Sequence, residues 1–232
     1  MSNDSVTVAQ LESLSSTTHP PAFWGRSVQP QRWAVIEQYV PTGVRVLDLG
    51  SGRGAYTQRL QQNGFSVIGV DIIAYAEWHT EISGNFVAAS AYKLPFPDDY
   101  FHTTLCFEVL EHCPHPELVL REIARCTSTQ LICSVPDCNL ETSLRKYNLA
   151  LFHWTDRTHC NFFTRDTIQK LLRQESYTII DMTHAVKISP NNYFWDTLRL
   201  PKWITRRMKR LCERLDLVET YWSSILVTAN VH

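Results

Sequence analysis

No apolar run in this 232-residue chain approaches the roughly 20 residues that a membrane-spanning helix requires. The N-terminus has no basic segment followed by an apolar one, so it does not read as a secretory signal. Seven cysteines make an odd count with no C-x-x-C pair, which fits a reducing compartment better than a secreted disulfide scaffold. Cys106 and Cys133 fall inside apolar runs and read as core thiols of a protein in a reducing compartment. A formal net charge of −1 provides no global field for nucleic acid. There is no internal repeat. These absences set the expectation of a cytoplasmic protein, with length enough for one α/β domain and a substantial core.

What is present is organised around Val44-Arg45-Val46-Leu47-Asp48-Leu49-Gly50-Ser51-Gly52-Arg53-Gly54. The run Val44 to Leu49 has the length of a buried strand, and three glycines at alternate positions follow it. A helical pattern begins at once at Ala55. Strand, glycine turn and helix form the first unit of a nucleotide-binding α/β fold, in which the turn approaches a ligand closely. Asp71 closes the next apolar run, Val67 to Val70, where an acid can hold ribose hydroxyls. Gly50 to Ala55 also fits the dinucleotide fingerprint. Asp48 argues against that reading, because its carboxylate would repel a pyrophosphate and attract an ammonium group.

The rest of the chain alternates. Residues 1–22 read as a flexible polar arm, and 23–232 as a single domain. Helices are expected at 30–39, 55–63, 74–80 and 116–126, with another capped by Thr164 and running to Gln174. Strands are expected at 44–49, 66–71, 85–88, 103–107, 130–135, 177–183 and 223–229. Such alternation implies a parallel sheet with right-handed crossovers. An insertion at about 187–220 carries Leu200, Trp203, Ile204, Met208, Leu211 and Leu215 at helical spacing. The opposite face has Lys202, Arg206, Arg207, Lys209, Arg210 and Arg214. It reads either as a core-packing helix with a solvated face or as a docking surface for an anionic partner such as a membrane.

Two further segments are Leu94-Pro95-Phe96-Pro97-Asp98-Asp99-Tyr100-Phe101 and Glu108-Val109-Leu110-Glu111-His112. With the glycine turn and Asp71, they resemble the class I S-adenosylmethionine-dependent methyltransferases, especially the type 11 group, over roughly 44–177. The resemblance implies a Rossmann-like, seven-stranded sheet with helices on both faces, six strands parallel and the last antiparallel. It implies that Gly50, Ser51 and Gly52 cradle the methionine part of the cofactor and that Asp48 lies near its amino end. Asp71 would bind the ribose diol and Ile72 would pack on adenine, with Ser90, Ala91 and Phe107 completing the contacts. The sequence departs from the family at Ser90, where an Asp commonly faces the adenine amino group, and at His102, where Asp is usual after Phe. A hydroxyl at Ser90 still accepts a hydrogen bond, but without charge.

Ligands of open parallel sheets sit outside the carboxyl ends of the strands, so Glu108, Glu111 and His112 should emerge beside the methyl donor. If Val109 begins a helical turn, these three share one face. They then suit a divalent cation such as Mg, Mn or Zn. Alternatively they form an ion-pair or hydrogen-bond cluster, with His112 bonded to Glu108 and Glu111 solvated, in which His112 could serve directly as general base. The segment His159-Cys160-Asn161-Phe162-Phe163-Thr164-Arg165 resembles part of the metal-dependent small-RNA 2′-O-methyltransferases. In those enzymes such a histidine completes a metal shell begun by Glu-x-x-Glu-His. Ubiquinone-pathway O-methyltransferases show similar features. His153, Trp154, Asp156, Arg157 and the segment Pro136–Asn139 are expected near the acceptor.

The leading expectation is O-methylation of a small molecule or glycan-like acceptor. The alternatives are RNA or N-methylation, a non-catalytic binding protein on a cofactor fold and, last, a dehydrogenase. No aromatic stacking platform accompanies a basic groove, which speaks against a nucleic-acid partner.

Overall fold

A computed structural model describes residues 27–80, 85–139, 156–188, 200–215 and 221–232. The polar arm, His153, Trp154 and the flanks of the basic helix lie outside them. The elements are α1 (Pro30–Tyr39), β1 (Arg45–Leu49), α2 (Ala55–Gln62), β2 (Ser66–Asp71), α3 (Glu77–Thr80) and β3 (Asn85–Ala88). Then come β4 (Phe101–Phe107), a 3-10 turn (Leu110–His112), α4 (Pro116–Cys126) and β5 (Thr127–Pro136). The chain continues with α5 (Arg165–Gln174), β6 (Thr178–Ile188), α6 (Lys202–Arg214) and β7 (Tyr221–Asn230).

One seven-stranded sheet has the order β3-β2-β1-β4-β5-β7-β6. Strands β1 to β5 pair in parallel, while β7 runs antiparallel to both neighbours. Strand β6 therefore points the same way as β5, and the six-parallel, one-antiparallel arrangement holds.

Alternation along β1 divides the core between the two faces of the sheet. Val46 points to a cluster with Trp33 and Ile36 of α1 and Leu60 of α2. Leu47 and Leu49 point to the other, with Val119, Leu120 and Ile123 of α4 and Ile168 and Leu172 of α5. The second helix set is closed by Tyr177, whose hydroxyl donates to the Leu120 carbonyl at 2.6 Å. Thr164 caps α5 as expected, in a reciprocal arrangement with Thr167.

Strand β5 is longer than its apolar run because β4 pairs with it on one edge and β7 on the other. Strand β6 continues past Thr183 to Ile188, into the start of the expected insertion. Its Asp181, Thr183, His184 and Lys187 break the apolar pattern, yet pairing with β7 satisfies the backbone through Ile188. As an edge strand β6 tolerates polar residues that a central strand would not. Of the expected short helix at 74–80 only Glu77–Thr80 forms.

Candidate active site

The carboxyl ends of β1, β2, β4 and β5 lie along one edge of the sheet, and the residues of interest gather there. After β1 the chain turns back over β2: the Gly50 and Ser51 amides both donate to the Val70 carbonyl, at 2.7 and 3.0 Å. Gly50, Gly52 and Gly54 all have positive φ. Gly50 has a second requirement, since a Cβ there would meet Cγ2 of Val109 at 2.2 Å. The glycine that looked reserved for ligand approach is thus also demanded by the chain's own packing.

The Gly52 amide donates to Oδ2 of Asp71 at 2.8 Å, and the Ile73 amide to Oδ1 at 3.0 Å. These bonds fix the carboxylate against the glycine turn. Burial nevertheless pushes the Asp71 pKa up, against these backbone N–H groups. Asp48 points to α2, where the Thr57 hydroxyl donates to it at 2.6 Å. Burial raises its carboxyl to about 6, opposed by Thr57 and reinforced by the charge of Asp71.

Sequence reasoning did not find the clamp over this turn. Trp78 of α3 donates its indole N–H to the Gly52 carbonyl at 2.8 Å and stacks on Phe86, centroids 4.8 Å apart. Arg53 pairs with Glu77 and lies over the Tyr75 ring. No motif signalled these contacts, because they join residues of ordinary types across the loop after β2. Ser90 accepts from the Tyr92 amide at 3.3 Å, and the Tyr92 hydroxyl accepts from the His115 amide at 3.2 Å. Ala91 is half-buried against the core. Phe107 meets Tyr56 at 5.0 Å and the Arg32 guanidinium at 5.1 Å.

At the end of β4 the structure separates the four residues expected to cluster. Glu108 has a left-handed backbone, φ 55°, and stands outside the turn that follows. That turn is a 3-10 turn, Leu110–His112, rather than the expected α-helical one. The Glu108 carboxylate accepts from Ser134 Oγ at 2.9 Å and pairs with Arg32 of α1. Arg32 was not among the expected site residues; it is far from Glu108 in sequence and nothing local marked it.

Glu111, His112 and His159 do converge, with one ligand atom from each lying within 4.8 Å of the others. The cause is backbone pairing. The Cys160 and Asn161 amides donate to the Glu111 carbonyl at 2.9 and 3.1 Å, and Asn161 Nδ2 donates to the Cys113 carbonyl at 2.6 Å. The segment carrying His159 is thereby fastened onto the turn carrying His112. Their rings meet edge to face with centroids 4.6 Å apart.

Thr158 orients His112. Its hydroxyl lies 2.6 Å from Oδ1 of Asp156 and 2.9 Å from Nδ1 of His112. Burial pushes the Asp156 carboxyl up, but hydrogen bonds from Thr158 and the facing histidines outweigh it and hold it below its usual range. An ionised Asp156 only accepts, so the Thr158 proton goes to it and Nδ1 of His112 must donate to the hydroxyl. Nε2 of neutral His112 is then left with its lone pair. Burial, and then the charge of His159, lower the His112 pKa and favour that neutral form. Glu111 is only 1% exposed, and burial followed by the Glu108 charge raises its pKa well above the usual carboxylate value. Its Oε2 is buried without a hydrogen-bond partner among the described residues.

Among the other residues expected here, Asp137 lies 3.8 Å from His184 of β6, and Arg157 is exposed.

A family model described as a methyltransferase domain matches residues 23–181 of this chain. The chain belongs to the class I methyltransferase-domain family. It is 31% identical over 144 residues to a ubiquinone biosynthesis O-methyltransferase of Pseudomonas fluorescens, covering 54% of this chain and 60% of that relative. It thus spans somewhat less than two thirds of that relative's length. Among solved structures, a SAM-dependent methyltransferase from Archaeoglobus fulgidus superposes with a TM-score of 0.60 at 20% identity, over 88% of this chain and 95% of the other. A 1,6-didemethyltoxoflavin-N1-methyltransferase of Burkholderia thailandensis, solved with its namesake compound and S-adenosylhomocysteine, gives 0.58 at 17% identity, over 87% and 77%. These likenesses carry the fold.

The cofactor of this methyltransferase family is S-adenosylmethionine, and the residues fit it. Ser51 Oγ is buried beside the glycine turn with no partner among the described residues, as a site for a polar ligand group would leave it. Ile72, next to Asp71, leaves 40% of its surface exposed, an apolar face for a purine ring.

Proposed function

We propose that this methyltransferase transfers the methyl group of S-adenosylmethionine to an oxygen of a small-molecule or glycan-like acceptor. The convergence of Glu111, His112 and His159 beside the glycine turn, at the carboxyl edge of the sheet, carries this reading. The bound cofactor supplies an electrophilic sulfonium methyl. Asp71 would hold the ribose diol, Asp48 would face the ammonium end, and Gly50, Ser51 and Gly52 would position the methionine part. Ile72, Ser90, Ala91 and Phe107 would surround the adenine and the sulfonium side. Such positioning is the chief contribution to an in-line displacement.

Neutral His112, with its Nε2 lone pair available, would take the proton from the acceptor hydroxyl. Glu108 would act indirectly, by holding Arg32 at the end of β4. The same cluster fits a divalent cation such as Mg, Mn or Zn, with Glu111, His112 and His159 as ligands, and its donor set of one carboxylate and two imidazoles suits such an ion. A cation held there would lower the pKa of an acceptor hydroxyl. The relatives named ubiquinone biosynthesis O-methyltransferase support oxygen as the acceptor atom and a small molecule as the acceptor.

The test is a transfer assay with labelled S-adenosylmethionine against catechols, quinols, sugars and RNA ends. Transfer to a hydroxyl of a small acceptor, lost in His112→Ala, is the expected result. Asp71→Ala should weaken cofactor binding by about 1.5–3 kcal/mol in calorimetry, the range for hydrogen bonds to a charged group. Exclusive transfer to RNA would overturn the small-acceptor reading. Absence of cofactor binding to the folded protein would leave the non-catalytic alternative.

A further inference from the structure

Helix α6 differs from every other long helix among the described residues. Of its side chains that the structure describes, only Thr205 is buried, and Ile204, Met208, Lys209 and Cys212 are half-buried. The rest face outward. At 100° per residue, Arg206, Arg210, Trp203, Arg214 and Arg207 follow one another around the exposed side, with Leu211 at its margin. Trp203 is 68% exposed, and Leu200, Leu211 and Leu215 are each more than 40% exposed. No described carboxylate pairs with Arg206, Arg207, Arg210 or Arg214.

The charge is concentrated. Lys202–Arg214 holds six basic residues and one acidic residue, a net charge of +5, in a chain whose total is −1. The remainder is therefore −6, obtained as −1 minus +5. A protein that is acidic elsewhere presents one cationic face, so an anionic surface attracts it in a single orientation.

We propose that α6 is an interfacial helix that seats this protein on an anionic lipid surface. The arginines would meet headgroup phosphates, while Trp203, Leu211 and Leu215 would enter the boundary between headgroups and acyl chains. Nucleic acid shares the charge requirement and can stack on an aromatic ring, but it gives no place for the exposed leucines Leu200, Leu211 and Leu215 beside the cations. Among the described residues no helix is long and apolar enough to cross a membrane, so α6 lies on the surface and does not span it.

Topology adds a consequence. Because β6 runs parallel to β5, the chain leaves β6 at Ile188 on the same edge of the sheet as Gly50, Asp71 and Glu108. Strand β7 begins on that edge too, at Tyr221 opposite Ile188, so the segment that bears α6 leaves and re-enters the sheet there.

The experiment is co-sedimentation of the full chain with vesicles, read together with tryptophan emission. Neutral phosphatidylcholine vesicles are compared with vesicles in which roughly a third of the lipid is phosphatidylglycerol. The expected result is binding to the anionic vesicles alone, weakened by salt, with a blue-shifted emission that Trp203→Phe removes. The combined variant Arg206→Glu, Arg207→Glu and Arg210→Glu should lose at least about a hundredfold in affinity, from roughly fivefold per cation near a charged surface. Its cofactor affinity should not change. Equal binding to both vesicle types, or a folded triple variant that binds as tightly as the parent, would overturn the proposal. So would binding to RNA that vesicles fail to compete away. Should the triple variant misfold, the parent's emission decides: no shift dependent on Trp203 on anionic vesicles defeats the proposal.

Discussion

The rings of His112 and His159 meet edge to face at 4.6 Å, although one follows β4 and the other precedes α5. The contact is imposed by the backbone, through the Cys160 and Asn161 amides on the Glu111 carbonyl. Two imidazoles held this close, with the buried Glu111 carboxylate between the same elements, suit either a shared cation or a shared proton.

Chelation separates those two chemistries. With a cation at the cluster, turnover vanishes in chelator and returns with added Mg, Mn or Zn. His159→Ala is then nearly as damaging as His112→Ala. With His112 acting alone, activity survives chelator and His159→Ala changes it little. Steady-state turnover of the two variants, with and without chelator, is the measurement.

Thr158→Val should lower kcat by about 10- to 100-fold, the usual cost of removing a partner that orients a functional histidine. KM for the cofactor should stay unchanged. The hydroxyl, held by Asp156 at 2.6 Å, fixes which His112 nitrogen carries the proton. Thr158→Ser, which keeps the hydroxyl, should restore most of the rate, whereas a packing role alone would not distinguish serine from valine in this way.

Asp48 makes stability depend on pH. Its carboxyl titrates near 3.8 when free and is raised to about 6 by burial. Between those values the folded protein holds a proton that the unfolded chain has released, so stability falls as pH rises through the window. Asp48→Asn should remove that slope, worth on the order of 2–3 kcal/mol from a shift of about two pKa units. Urea midpoints of parent and variant across the window measure it. A cationic cofactor group beside Asp48 favours its ionised form, so cofactor affinity of the parent should rise over the same window and level off above it.

Arg32→Met should destabilise the protein by less than about 3 kcal/mol, the lower end for breaking a buried ion pair. The discount reflects Glu108, whose side chain is 29% exposed. Adding Glu108→Leu should recover part of the loss, because no carboxylate is then left facing the missing guanidinium. Urea denaturation of the single and double variants closes the cycle.

Local patterns in the chain determined the sheet and the glycine turn at its carboxyl edge. The apolar runs at 66–71 and 85–88 are the strands β2 and β3, and Pro116–Cys126 and the Thr164 cap stand where their residue types placed them. Asp71 and the glycine turn are legible because strand, turn and acid follow one another along the chain, and chain order fixes their positions in a βαβ unit. The full length of β6 was not legible, because its polar residues hide a strand whose pairing with β7 only the assembled sheet supplies.

The cluster after β4 was legible only in part, for a different reason. Glu108, Glu111 and His112 are neighbours in sequence, but a left-handed residue at 108 and a 3-10 turn after it send Glu108 to Arg32 and keep Glu111 with His112. Such a choice of turn is decided by what packs on either side: Arg32 and Ser134 on Glu108, and Cys160 and Asn161 on the Glu111 carbonyl. Those partners come from segments distant in the chain, so residue type and spacing carry no record of them. The sequence by itself determined which side chains were available to the site. The tertiary structure decided which of them meet, because hydrogen bonds between remote segments set the direction in which each side chain points.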